Sequence, residues 1–196
     1  QGRYADAEPL FLQALDIRRS QLGETHPSTA TSLNNLAGLY QSQGRYAEAE
    51  LLLLQALHIR RSRLGETHPD TAGSLNNLAG LYKLQGRYTD AEPLYLQALE
   101  IRRSQLGDTH PDTAGSLNNL ATLYKSQGRY NEAEPLYLQT LAILMQSLGE
   151  NHPNTQTTWN KFVYLLQQAI EAGRAAQLSD HPLTQHILVQ LQAEPQ

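Results

Sequence analysis

Apolar residues recur along this chain at helical spacing. Across 69–85, Leu75, Leu78, Ala79 and Tyr82 fall at i, i+3, i+4 and i+7, one stripe of an α-helix. Pro69 stands before that stripe, where its fixed φ suits a first helical turn, and Asp70 adds negative charge there. Gly86 follows, as a residue that tolerates the positive φ of a helix end. A second stripe, Ala91, Leu94, Tyr95, Ala98, Leu99 and Ile101, predicts a helix over Tyr88–Leu106 closed by Gly107. Pro93 is expected near its first turn, where a lost N–H costs little. Only a few residues separate the two helices, so they must lie antiparallel.

This pair of helices repeats. Gly2, Gly44, Gly86 and Gly128 each open a Gly-Arg-Tyr triplet, and His26, His68, His110 and His152 each precede a proline, all at 42-residue steps. Segments 42–83 and 84–125 are identical at 33 of 42 positions. Small residues fall where helices would cross closely: Ala79, Ala91 and Ala98, with Ala37, Ala49, Ala56, Ala121 and Ala133 at equivalent points. Tyr82, Leu94 and Tyr95 fill the spaces between. One hairpin cannot bury such a stripe alone, whereas stacked hairpins bury it continuously. The expected organisation is a single array. Residues 1–26 form the second helix of a truncated repeat. Full repeats follow at 27–68, 69–110 and 111–152, then a divergent repeat and capping helix at 153–196.

The ends depart from the pattern. A helix over about Tyr4–Leu22 lacks its partner helix, so its outer apolar face is expected to be exposed, through truncation of a longer chain or in self-association. The start at Gln1, without Met, also reads as a fragment. Trp159, Phe162, Val163 and Leu166 continue the first-helix stripe, and Ile170 replaces the turn glycine, so that helix runs on to about Gly173. Leu178–Pro182 reads as a shortened turn before a capping helix over Leu183–Leu191. Ala193–Gln196 is expected to fray.

The run Leu75-Asn76-Asn77-Leu78-Ala79, then Tyr82, Gly86, Tyr88, Ala91-Glu92, Tyr95 and Ala98-Leu99, resembles a tetratricopeptide repeat. The 42-residue period, the Ile-Arg-Arg ending of the second helix and the Leu-Gly-x-x-His-Pro turn resemble the kinesin-light-chain type. The resemblance covers Gly2 to about Leu166. Two departures are Leu53, where Phe11, Tyr95 and Tyr137 stand elsewhere, and Leu51, in place of Pro9, Pro93 and Pro135. The resemblance implies an all-α, right-handed superhelical solenoid of antiparallel helix pairs. It also implies recognition of short acidic cargo segments carrying an aromatic anchor. In related peptide-binding domains an Asn–Lys clamp grips a C-terminal carboxylate; this sequence matches at Asn77 and Asn119 but has Gly73 and Gly115, not Lys, one turn before.

Composition narrows the function. Ile and Val together number eight of 196 residues, while Leu, Ala and Gln abound, a balance that favours helix over strand. The longest apolar run, Leu51–Leu54, falls far short of the roughly 18 residues of a membrane span. With 15 basic against 19 acidic residues there is no broad field for a polyanion, so no nucleic-acid partner is expected. The absence of cysteine excludes disulfides, thiolate zinc sites and a thiol nucleophile, and fits a cytoplasmic setting.

Catalytic chemistry has no foothold. The His-Pro histidines, spread one per repeat, cannot share a metal and are expected to cap helices. His181 and His186 are five apart, off the spacing of a helical zinc pair. No phosphate-binding loop, Gly-x-Ser-x-Gly or His-Glu-x-x-His occurs. Neither an enzyme nor a cofactor or metal is expected.

What does repeat is a polar set on the first helices: Asn34 and Asn35, Asn76 and Asn77, Asn118 and Asn119, continued by Asn160 and Lys161. A side-chain amide donates and accepts, which suits the backbone of an extended peptide. One Asn of each pair could equally bond the neighbouring helix and hold the stack. Gly38, Gly80 and Gly115 let a ligand approach closely. The three lysines, Lys83, Lys125 and Lys161, all fall on this face, whereas the twelve arginines sit mostly on second helices and turns. The lysines would attract an acidic peptide, or else complement helix dipoles near C-termini. The pairs Arg18/Arg19, Arg60/Arg61 and Arg102/Arg103 read as a solvated edge facing Glu24, Glu66 and Asp108, or as a second binding strip. The expected function is protein–protein interaction, with an acidic peptide bound in a concave groove lined by the first helices. The alternative is a spacer or self-associating scaffold in a larger multidomain signalling protein.

Overall fold

The computed structural model describes residues 4–193. Among these every regular element is helical: α1 (Tyr4–Leu22), α2 (Pro27–Ser42), α3 (Tyr46–Leu64), α4 (Pro69–Leu84), α5 (Tyr88–Leu106), α6 (Pro111–Ser126), α7 (Tyr130–Leu148), α8 (Pro153–Glu171), a short 3₁₀ turn (Ala175–Gln177) and α9 (Pro182–Ala193). They group into two compact units, residues 1–105 and 106–196. The fraying expected at the C-terminus falls mostly on 194–196, outside the described residues, while Ala193 closes α9.

Each first helix starts in the same way. The Nδ1 of His26, His68, His110 and His152 accepts the backbone N–H two residues on, at 3.0–3.2 Å, and proline follows at N1. His181 repeats the cap for α9, accepting from the N–H of Leu183 at 3.2 Å. The hydroxyls of Thr29, Thr71, Thr113 and Thr155 donate to the carbonyls of Gly23, Gly65, Gly107 and Gly149 at 2.8–2.9 Å. These glycines hold φ between 87° and 97°, which an L side chain adopts only under strain. The His-Pro-x-Thr motif is therefore a turn fastener.

The stripes bury as their spacing predicts. Leu75, Leu78, Ala79 and Tyr82 are buried, as are Ala91, Tyr95, Ala98, Leu99 and Ile101, whereas Leu94 is only half-buried. Alanines at the crossings let the backbones approach, and the tyrosines occupy the remaining volume. Pro93 lies deeper than expected, as the sixth residue of α5, so the ladder bond to the Thr89 carbonyl is absent there. Thr89 is exposed, which leaves that carbonyl open to water.

The arginine of Gly-Arg-Tyr ties neighbouring hairpins. Arg45 lies 3.8 Å over the Tyr40 ring and pairs with Glu8 at 2.9 Å, while Tyr40 donates to the same carboxylate. Arg87, Tyr82 and Glu50 repeat the arrangement. Hydrogen bonds from Arg45 hold the Glu8 carboxyl below the usual carboxylate range. In the second unit the corresponding carboxylate, Glu134, is 1 % exposed and meets a different set of donors. It accepts from the Ser179 N–H (2.7 Å), the Ser179 hydroxyl and the Thr184 hydroxyl (2.6 Å), fastening α9 onto the last hairpin.

Candidate functional site

The arginine pairs divide, which corrects the expectation of a wholly solvated edge. The second member stays at the surface: Arg19 reaches Glu24 at 3.9 Å and Arg61 reaches Glu66 at 2.9 Å. The first member turns inward. Arg18 donates to the Ser28 carbonyl (2.9 Å) and the Ser32 hydroxyl (3.0 Å). Arg60, 9 % exposed, donates to the Asp70 carbonyl (2.8 Å), Ser74 (3.1 Å) and Thr31 (3.2 Å). Burial lowers its pKa, and Asp70 offsets part of that shift. A Cβ on Gly73 would sit 3.4 Å from the Arg60 guanidinium and 3.9 Å from that of Arg102. That glycine makes room for arginines rather than for a clamp lysine.

The asparagine pairs also divide. In the first unit Asn34 is half-buried and donates to Ser74 at 3.3 Å, bridging α2 to α4. Asn76, placed by its spacing on the open side of α4, is instead buried at 7 % exposure. Asn35 and Asn77 are exposed, and Lys83 is half-buried. A Cβ on Gly38 would meet nothing within 4 Å, so that stretch of α2 is open. On Gly80 it would meet the Tyr95 hydroxyl at 3.5 Å. Burial pushes that phenol up to about 12.

The second unit brings more of the expected residues together. Asn118, Asn119, Lys125 and Lys161 are half-buried on α6 and α8, and Asn160 is exposed. The Lys161 ammonium donates to the Asn118 side-chain carbonyl at 3.4 Å. The Lys125 ammonium lies 4.5 Å from the centre of the Tyr164 ring, a cation–π contact. Among the described residues neither lysine forms an ion pair. Burial lowers the pKa of both, and the nearby Lys161 charge lowers that of Lys125 further. Tyr164 was not singled out by the sequence stripe. The available signal was a large aromatic at the position that holds Gly38, Gly80 and Thr122 in the earlier repeats.

Elsewhere in this unit an apolar cavity of about 540 Å³ opens beside α7, α8 and α9, with Leu141, Met145, Trp159 and Leu183 in its walls. Among the described residues no three His, Asp or Glu side chains are placed to hold a metal. No described helix is long and apolar enough to cross a membrane.

The repeated helix pairs have counterparts among known proteins. A family model described as tetratricopeptide repeat matches residues 1–62, 70–146 and 114–163. Among solved structures, the chain is similar to a Podosopora anserina protein described as a kinesin light chain with nearly identical TPR-like repeats. Identity is 28 % over 98 % of this chain and 90 % of that one, with a TM-score of 0.69, and 0.70 for a variant of that protein with one substitution. It is also similar to BtubC (BKLC) from P. vanneervenii, at 25 % identity over 100 % of this chain and 77 % of that one, with a TM-score of 0.73. Comparison with curated proteins gave no match.

Proposed function

We propose that this chain, which belongs to the tetratricopeptide-repeat family, binds an extended acidic peptide segment across its first helices. Tetratricopeptide repeats are non-catalytic protein-interaction scaffolds, and the specificity is our reading. The observation that carries it is the pair Lys125 and Lys161. Two half-buried ammonium groups, near enough that the Lys161 charge lowers the pKa of Lys125, with no carboxylate beside either, are electrostatically unfinished. An incoming carboxylate would offset their desolvation. Asn118 accepts from Lys161 and Asn119 follows it on α6, amides suited to a peptide backbone, while Asn160 lines the apolar cavity beside Trp159. In the first unit Asn34, Asn35, Asn76, Asn77 and Lys83 hold the corresponding positions. There the exposed Asn35 and Asn77 would meet ligand, while Asn34 and Asn76 support the helices.

The test is a titration with a blocked peptide carrying a Glu-Asp-Glu core in Gly-Ser flanks. Lys125→Glu with Lys161→Glu is expected to weaken binding by about a hundredfold, two charged contacts at roughly tenfold each. Raising salt from about 0.05 to 0.5 M should weaken the native complex as well, since screening shortens the reach of charge. Both folded-state lysine pKa values lie below the unfolded ones, so the unfolded chain binds more protons between them. Stability therefore rises as pH climbs through that interval, and peptide affinity falls over the same interval as the ammonium charge is lost. Unchanged affinity in the double variant contradicts the reading.

A second reading, self-association, is favoured by one observation. Ile17 on α1 is 45 % exposed, whereas its counterpart Ile59 is 3 % exposed. On that reading, mass measured by light scattering rises with concentration and Ile17→Glu abolishes the rise. A constant monomer mass removes it.

A further inference from the structure

Repeats this alike allow one position to be compared with another. Residue 144 corresponds to residue 60, two periods earlier, and Leu144 stands where Arg60 does. In the first unit the Arg60 guanidinium fills the space between α2 and α4 and donates to Thr31, Asp70 and Ser74. The matching positions in the second unit are Gly115, Asn154 and Thr158, and with Leu144 they line a cavity of about 160 Å³. Leucine is too short to fill it. The Thr158 hydroxyl donates instead to the Asn154 carbonyl at 2.9 Å, the acceptor that corresponds to the Asp70 carbonyl. The cavity is the seat of a guanidinium that this hairpin lacks.

Its walls have become those of an anion site. Lys161, in place of Asn77, brings an ammonium to the rim, and Thr157, in place of Gly73, brings a hydroxyl. Asn118 uses its carbonyl oxygen on Lys161, which leaves its NH₂ as a donor. No carboxylate lines the space. At about 160 Å³ it is well under the roughly 300 Å³ of ordinary small-molecule pockets, so it takes a single head group rather than a whole ligand.

We propose that this cavity, bounded by Leu144, Gly115, Asn118, Thr157 and Lys161, receives one Asp or Glu carboxylate of the bound peptide. This rests on the reading of α6 and α8 as an acidic-peptide face. It adds that the absence of an arginine at position 144 creates the specificity pocket. Removing the Lys161 charge from water is unfavourable, as its lowered pKa reflects, and a carboxylate seated beside it relieves that cost.

Leu144→Arg tests it, because Arg18 and Arg60 show that these hairpins accept arginine there. The whole chain is titrated with the same Glu-Asp-Glu peptide, and folding is checked by circular dichroism and Tm. The new guanidinium would occupy the pocket while adding a positive charge to the face. The pocket account predicts about a tenfold loss of affinity despite the extra charge; a face acting only through diffuse charge predicts a gain. An unchanged or tighter complex overturns the pocket and leaves the acidic-peptide reading standing. No binding by the native chain overturns that reading, and the pocket with it. If Leu144→Arg does not fold, Leu144→Phe fills the same space without charge, and the same tenfold loss is required of it.

Discussion

Replacing Glu134 with alanine is expected to release α9 from the second unit while α6 and α7 stay folded. Three donors converge on this fully buried carboxylate: the Ser179 N–H, the Ser179 hydroxyl and the buried Thr184 hydroxyl. Hydrogen bonds to a charged acceptor contribute more than neutral ones, and the buried Thr184 hydroxyl left without its acceptor costs free energy in its own right. A loss of about 3–4 kcal/mol follows. The apolar hold on α9 rests chiefly on Ile187 and Leu188, a small area for a twelve-residue helix. Hydrogen exchange reads the outcome. Amides of 183–193 should lose protection in Glu134→Ala, and Glu134→Gln, which keeps one acceptor oxygen, should lie between. Native protection of α9 in Glu134→Ala would show that packing alone holds the cap.

Arg60→Ala is expected to lower stability by about 2–3 kcal/mol, a fall in Tm of roughly 5–10 °C. The guanidinium joins α2, α3 and α4 through Thr31, Asp70 and Ser74, and its stem fills the gap between them. None of its acceptors is charged, so no buried ion is stranded. That keeps the loss below the roughly 3–5 kcal/mol of a broken buried ion pair. Arg60→Leu should cost less than Arg60→Ala, because the chain tolerates leucine at the same place in α7, where Thr158 turns to the vacated carbonyl. Thermal melts of both variants check the order. A smaller loss for alanine than for leucine would contradict the comparison of the two hairpins.

The first helices were legible because each carries a period-3.6 stripe after a proline start, and the second helices because theirs follows a Gly-Arg-Tyr turn and stops at a glycine. The caps were legible too: His-Pro at a fixed step has one economical use at a helix start, and the structure puts every such histidine there. Less legible was the depth of polar residues. A stripe such as Leu75, Leu78, Ala79 and Tyr82 reports the most apolar face of α4, yet that helix is flanked on more than one side. Asn76 and Arg60 lie in those flanks, where sequence pattern reads them as solvated. The burial of Arg60 goes with hydrogen bonds to Thr31 on α2 and to Asp70 and Ser74 on α4, which no window on α3 contains. Glu134 was hidden for the same reason, since its partners lie about 45–50 residues further along. The cavity at Leu144 becomes visible only when two hairpins are superposed in register.

The central claim is that acidic ligand meets the first helices of the second unit. Backbone amide chemical shifts, recorded on the native chain during titration with the Glu-Asp-Glu peptide, test it most directly. The account predicts perturbations centred on Asn118, Asn119, Lys125, Thr157 and Lys161, with the Trp159 indole at the α7–α8–α9 cavity essentially still. Perturbations confined to Leu141, Met145, Trp159 and Leu183, or none at saturating peptide, would contradict it.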